Sequence, residues 1–197
     1  GAAIAADKII VATGSAPSLP DIPGIADVPY LTSTTALEQT DQPTSLMVLG
    51  GGYIGCELAQ MFARAGTKVS LVTRSRLLPE AEPEISEALT NYLAEDGIAV
   101  LTELSYRAIE TVENGVELSI EREGRTESLT AQHILVATGR RPNSADLGLE
   151  EAGVELSPNG GIIVDNRMRT SKPGIYAAGD VTGRDQFVYM AAYGAKL

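Results

Sequence analysis

The chain contains one cysteine, Cys56, and one histidine, His133. A lone cysteine excludes an internal disulfide and any Cys-x-x-Cys pair within these residues, which suits a reducing compartment such as the cytoplasm. His133 opens the apolar run Ile134 to Ala137 with no acid near it in sequence, so it is given no chemistry. Metal-ligand spacing is missing throughout, and no metal site is assigned. Basic side chains are also scarce, 15 against 26 acidic, for a formal net charge of −11. With no basic run, nucleic acid and anionic membrane surfaces are poor partners. No apolar run approaches the roughly 18 residues of a membrane-spanning helix.

What is present is a hydrophobic content of 44%, enough for one good core, or one core and part of a second. Within it, the apolar run Leu46-Met47-Val48-Leu49 leads directly into Gly50-Gly51-Gly52-Tyr53-Ile54-Gly55, and Ile54, Leu58, Met61 and Phe62 then recur on one helical face up to Gly66. Strand, G-x-G-x-x-G and helix in that order form the setting of a dinucleotide site. Gly50 allows the tight turn, Gly52 leaves room for a pyrophosphate, and Gly55 lets helix and strand pack closely. A glycine turn that merely joins strand to helix has the same spacing, but the flanking elements favour the cofactor.

The next strand, Lys68 to Thr73, ends where an NAD site carries an acid for the ribose, about 20 residues past the glycines. Thr73 stands there, 21 residues after Gly52, followed by Arg74 and Arg76. Guanidinium groups pair with the 2′-phosphate of NADPH, whereas a carboxylate repels it. The alternative is that both arginines only solvate a strand end. A helix over residues 83–93, with Ile85, Leu89, Tyr92 and Leu93 on one face, and a strand over 97–101 complete βαβαβ. From Tyr106 short alternating stretches turn at Asn114-Gly115 and Glu123-Gly124, an antiparallel meander. We therefore expect an α/β fold, a Rossmann-like parallel sheet with an appended antiparallel meander.

The flanks read differently. Lys8 to Gly14 is a strand closed by glycine, and Pro17, Pro20 and Pro23 make Ser15 to Pro29 a stiff extended connection over a surface. Thr32-Ser33-Thr34-Thr35-Ala36-Leu37-Glu38 offers hydroxyl caps followed by a helical turn. The chain starts without Met or a basic leader and stops inside an Ala-rich helical pattern at Lys196-Leu197, so it is expected to be a piece of a longer protein.

Ala137-Thr138-Gly139-Arg140-Arg141-Pro142-Asn143 repeats the earlier Ala12-Thr13-Gly14, and Gly174-Ile175-Tyr176-Ala177-Ala178-Gly179-Asp180 follows. Together with Gly50 to Glu57 these motifs resemble the flavoprotein disulfide reductases, which bind FAD and a pyridine nucleotide. Within that family Pro29 to Leu37 and Gln186-Phe187-Val188-Tyr189 look like mercuric reductase, while the glycine stretch is closer to dihydrolipoamide dehydrogenase.

The resemblance implies an NAD(P) domain over residues 43–142, between FAD-domain pieces at 1–42 and 143–197. On the NADPH side it implies Gly50, Gly52, Tyr53, Ile54, Gly55, Glu57, Arg74, Arg76, Gly139 and Arg140, with Tyr53 over the nicotinamide pocket and Glu57 orienting its end. On the FAD side it implies Thr13, Gly14, Gly179 and Asp180, with Gln186, Phe187 and Val188 starting a helix that faces the flavin. It implies hydride transfer from NADPH through FAD to a redox cysteine pair outside these residues, in a homodimeric parent reducing Hg(II) to Hg(0). No catalytic residue falls within the chain, and Cys56 reads as packing. Two other outcomes stay open: a reductase for lipoamide or glutathione disulfide, and a nucleotide-binding module without catalysis.

Overall fold

A computed structural model describes residues 4–197; the first three residues of the segment assigned above to 1–42 lie outside the described part. In chain order the elements are β1 (Ile9–Val11), β2 (Ser15–Pro17), β3 (Tyr30–Leu31), α1 (Ser33–Leu37), β4 (Ser45–Leu49), α2 (Tyr53–Arg64), β5 (Lys68–Val72) and α3 (Pro83–Glu95). There follow β6 (Ala99–Leu101), β7 (Ser105–Val112), β8 (Gly115–Arg122), β9 (Arg125–Ala131), β10 (His133–Val136), β11 (Arg140–Pro142), β12 (Ile175–Ala177), a 3₁₀ turn (Asp180–Thr182) and α4 (Val188–Gly194). The fold is α/β. Two units can be described separately, Pro17–Gly139 and the segment up to Ala16 together with Arg140–Leu197.

The unit Pro17–Gly139 is three layers deep. Its centre is a five-stranded sheet in the order β3-β10-β4-β5-β6, parallel at every pairing. Such sheets are covered on both faces and read as continuous apolar runs, and Leu46, Met47, Val48 and Leu49 of β4 are all fully buried. Their alternation divides the core. Leu46 and Val48 pack with Leu58 and Phe62 of α2 and Leu93 of α3, while Met47 and Leu49 pack with Val116, Leu118 and Ile120 of the meander. The meander β7-β8-β9 is antiparallel, turning at Glu123-Gly124 as expected and at Glu113-Asn114, one residue ahead of the expected Asn114-Gly115, because Gly115 already pairs with Val112. Thr32 and Thr35 form a reciprocal capping box on α1, the hydroxyl cap anticipated from the sequence.

Three expectations in this unit need correction. The proline-rich stretch after β2 does not simply cross a surface: Ile22, Ile25 and Val28 are buried against the meander, in a turn where the Ile25 N–H donates to the Ile22 carbonyl at 3.1 Å. The buried face of α2 runs through Gly55, Leu58, Ala59 and Phe62, leaving Met61 exposed. Gly55 sets this rotation, because its backbone lies against the Gly50 carbonyl of the glycine turn, where a Cβ would not fit. On α3 the inward face is Ser86 and Leu93 with Leu89 beside them, and Ile85 and Tyr92 are exposed. The small Ser86 permits close approach, and its carbonyl accepts the Thr90 hydroxyl at 2.8 Å.

The second unit holds the parallel pair β1 and β12, in register from Ile9 with Ile175 to Val11 with Ala177. A separate core of Leu149, Val154, Ile162, Val164, Ala177 and Val181 supports it. Among the described residues no helix is long and apolar enough to cross a membrane.

Candidate functional site

The glycine turn lies at the C-terminal end of β4, between β10 and β5, where the chain's crossovers diverge to either side; ligands of open parallel sheets bind at such points. Each glycine has a distinct spatial reason. Gly50 has φ +110, and a Cβ there would meet the carbonyl oxygen of Ala137. At Gly55 a Cβ would collide with the carbonyl oxygen of Gly50. Gly52 is the opposite case: a Cβ would meet nothing within 4 Å. Packing therefore demands glycine at 50 and 55, and at 52 the space is open at the start of α2, whose N-cap is Gly52 itself with no side-chain cap. That cradle fits a pyrophosphate against helix N–H groups.

Sequence reasoning passed over Gly51, although three consecutive glycines marked it. A Cβ at Gly51 would stand 2.9 Å from Leu77 Cδ2 and 3.0 Å from Thr73 Cγ2. Its carbonyl accepts the Leu78 N–H at 2.7 Å and the Cys56 thiol at 3.6 Å. Cys56 is buried, and desolvation first, then the negative charge of Glu57, raises its pKa to about 11. It is a packed thiol and not a nucleophile at neutral pH. Tyr53 and Glu57 are on the exposed side of α2, Ile54 is half-buried, and Tyr53 is 54% exposed.

At the end of β5 the two arginines have different roles. Arg76 spends its guanidinium on its own loop, donating to the carbonyls of Pro79 at 3.0 Å and Ala81 at 2.8 Å. Arg74 is exposed and makes no hydrogen bond or ion pair among the described residues. Its charge is felt by Tyr106, whose pKa burial nonetheless raises to about 12. Gly139 closes the unit; it is exposed in the loop after β10, and its carbonyl accepts the Ser18 N–H at 3.0 Å.

In the second unit, β1 and β12 end side by side, and the residues three beyond the last registered pair are Gly14 and Asp180. Gly14 has φ +71 and open space where a Cβ would point. Thr13 and Asn143 exchange hydrogen bonds at 2.6 and 3.0 Å. Asp180 opens the 3₁₀ turn after Gly179 and accepts the Ser15 hydroxyl at Oδ2, 2.7 Å away. Arg140, expected beside the pyridine nucleotide, is held by Ser15 and lies 3.8 Å from the same Asp180 oxygen. Gln186, Phe187 and Val188 are exposed at the start of α4, where the Phe187 ring stacks on Tyr189 at 5.4 Å. Two glycine-led strand ends plus one acid with a spare oxygen suit the hydroxyls of a second nucleotide cofactor. Among the described residues, no group of three or more His, Cys, Asp or Glu is placed to hold a metal ion.

The family model for pyridine nucleotide-disulphide oxidoreductases matches residues 1–195. The chain belongs to that family. Relatives named mercuric reductase match it at 46% identity in Streptomyces lividans, over 97% of this chain and 40% of theirs, and at 45% in Staphylococcus aureus, over 98% and 36%. The chain thus spans about 40% of the length of these relatives. Among solved structures, the HOCl-induced flavoprotein disulfide reductase RclA from Escherichia coli superposes with a TM-score of 0.86 at 34% identity, covering 96% of this chain and 43% of that one. The family couples a flavin to a pyridine nucleotide, and the general reaction is an oxidoreduction.

Proposed function

We propose that this chain is the nucleotide-binding middle of a longer FAD- and NADPH-dependent enzyme that reduces Hg(II), in the balance NADPH + Hg²⁺ → NADP⁺ + H⁺ + Hg⁰. The observation that carries the nucleotide reading is the contrast within the glycine turn, where packing closes the Cβ positions of Gly50 and Gly55 and leaves that of Gly52 open. In this reading residues 43–142 form the NAD(P) domain. Gly50, Gly52, Ile54 and Gly55 present backbone to the pyrophosphate, and the exposed Tyr53 and Glu57 reach the nicotinamide end. Arg74 takes the 2′-phosphate because its guanidinium makes no hydrogen bond or ion pair among the described residues, and Arg76 holds the loop beside it.

Thr13, Gly14, Gly179 and Asp180 belong to the FAD side, with Gln186, Phe187 and Val188 at the edge of that site. When bound, the flavin relays two electrons from the nicotinamide to the acceptor. The chain's own residues bind and orient; the thiolates that would hold Hg(II) belong in this reading to parts of the parent outside this sequence, and a soft metal suits such ligands. A cytoplasmic homodimer completes the reading.

Support for Hg(II) is the 40 to 46% identity to relatives of that name over nearly the whole chain. The match to RclA, named a disulfide reductase, favours a second reading in which the acceptor is a disulfide. The experiment is NADPH oxidation by the full-length gene product in excess thiol, with Hg(II), lipoamide and glutathione disulfide compared. Volatile mercury with Hg(II)-stimulated oxidation is the expected result; turnover only with a disulfide moves the protein to the second reading, and turnover with none removes both.

A further inference from the structure

We propose that Ser15 is a positioning residue that sets the orientation of Asp180 toward the flavin cofactor, an inference that rests on Asp180 lying at the FAD site. Ser15 follows the Ala-Thr-Gly of the first strand end, and Arg140 follows the same tripeptide at residues 137–139. The structure joins these two positions. Arg140 donates from Nε to Ser15 Oγ at 2.7 Å and from its terminal nitrogen to the Ser15 carbonyl at 2.7 Å. Ser15 Oγ passes its own hydrogen to Asp180 Oδ2 at 2.7 Å.

The direction of these bonds is determined by chemistry. Guanidinium only donates and carboxylate only accepts, so the hydroxyl between them must accept from one and donate to the other. Arg140 grips both the side chain and the backbone of Ser15, which removes the hydroxyl's rotational freedom. Asp180 therefore has Oδ2 committed, and Oδ1, which makes no hydrogen bond among the described residues, remains to accept from a ribityl hydroxyl. At 3.8 Å the arginine is too far for a direct hydrogen bond to Asp180. Ser15 bridges this long ion pair and keeps the arginine from bonding Asp180 directly, a contact that would swing the carboxylate away.

The test uses the full-length gene product, stripped of flavin and titrated with FAD by fluorescence. Ser15→Ala is expected to weaken FAD about tenfold, the size of one hydrogen bond to a charged group. Ser15→Thr, which keeps the hydroxyl, is expected within about threefold of wild type on the same scale. Asp180→Ala weakens FAD further, and Ser15→Ala adds nothing in that background, because Ser15 acts through Asp180. Additive losses in the double variant, or an unaltered affinity in Ser15→Ala beside a weakened Asp180→Ala, overturn the proposal. An unaltered affinity in Asp180→Ala overturns instead the reading of Asp180 on which it rests.

Discussion

The hydroxyl of Tyr106 donates to the carbonyl oxygen of Val72 at 2.9 Å. The same oxygen accepts the Gly50 N–H at 2.9 Å, so one carbonyl at the end of β5 ties the glycine turn to the first strand of the meander. The phenol must stay protonated to donate. Burial holds its pKa near 12 against an ordinary value of 10, which means that the folded state disfavours the anion. The stabilisation is complete below pH 10 and is lost as pH rises toward 12, to a total of about 2–3 kcal/mol for a shift of this size. In urea melts across that range, Tyr106→Phe is expected to lose less stability with rising pH than wild type, after an initial cost of about 1 kcal/mol for the deleted bond. Parallel pH profiles for the two proteins would remove Tyr106 from this role.

Arg74 and Arg76 are expected to separate in a cofactor titration. Arg74→Ala deletes a side chain that makes no hydrogen bond or ion pair among the described residues, so stability changes little, and NADPH affinity falls about 10- to 100-fold, the range of a hydrogen-bonded charge pair. NADH affinity remains unchanged. Arg76→Ala frees the carbonyls of Pro79 and Ala81 and is expected to lower the melting temperature more than the NADPH preference. Calorimetry with both cofactors checks this; equal losses of NADH and NADPH in Arg74→Ala would remove the 2′-phosphate from the account.

Much of this was legible in the sequence because the central sheet is buried on both faces, and the uninterrupted Leu46 to Leu49 run announces that condition locally. The glycine turn was legible for the same reason, since its constraints lie within a few residues. What local pattern could not reveal is decided across long separations. The inward face of α2 depends on the Gly55 contact with the turn, and Met61, at helical spacing but one step around the axis, ends outside. Ile22, Ile25 and Val28 are buried because a meander about 90 residues further on covers them. Ser15 carried no signal beyond following a tripeptide that recurs before Arg140, and only the paired strand ends bring it to Asp180. The unequal roles of Arg74 and Arg76 likewise rest on where the 77–81 loop folds back.

Cys56 is expected to be inert. Its thiol is buried, donates to the Gly51 carbonyl and has its pKa raised to about 11, so very little thiolate is present at pH 8. Iodoacetamide at that pH should leave Cys56 unmodified in the folded protein, as read by peptide mass, and label it in urea. Cys56→Ala should retain NADPH binding at a stability cost of about 1 kcal/mol. Rapid labelling of the folded protein would contradict the packed position.

The sharpest contrast is between Gly52→Ala and Gly55→Ala, the same added methyl three residues apart. At Gly52 the backbone has φ −78 and ψ −177, which any residue adopts, and the methyl would enter open space. Stability should change by no more than about 1 kcal/mol, since the restriction that alanine places on the unfolded chain opposes its poorer fit at an N-cap. Yet that open space is where a pyrophosphate would approach the helix, so NADPH binding should fall by at least tenfold. At Gly55 the methyl would collide with the Gly50 carbonyl, rigid backbone that cannot turn aside. Overpacking there should cost about 3 kcal/mol or more, seen as a large drop in melting temperature or soluble yield. Thermal melts and NADPH titrations of both variants in the full-length gene product separate a glycine kept for the ligand from one kept for the fold. Should Gly52→Ala bind NADPH as wild type does, the pyrophosphate does not pass over this turn, and the nucleotide reading loses the geometry on which it stands.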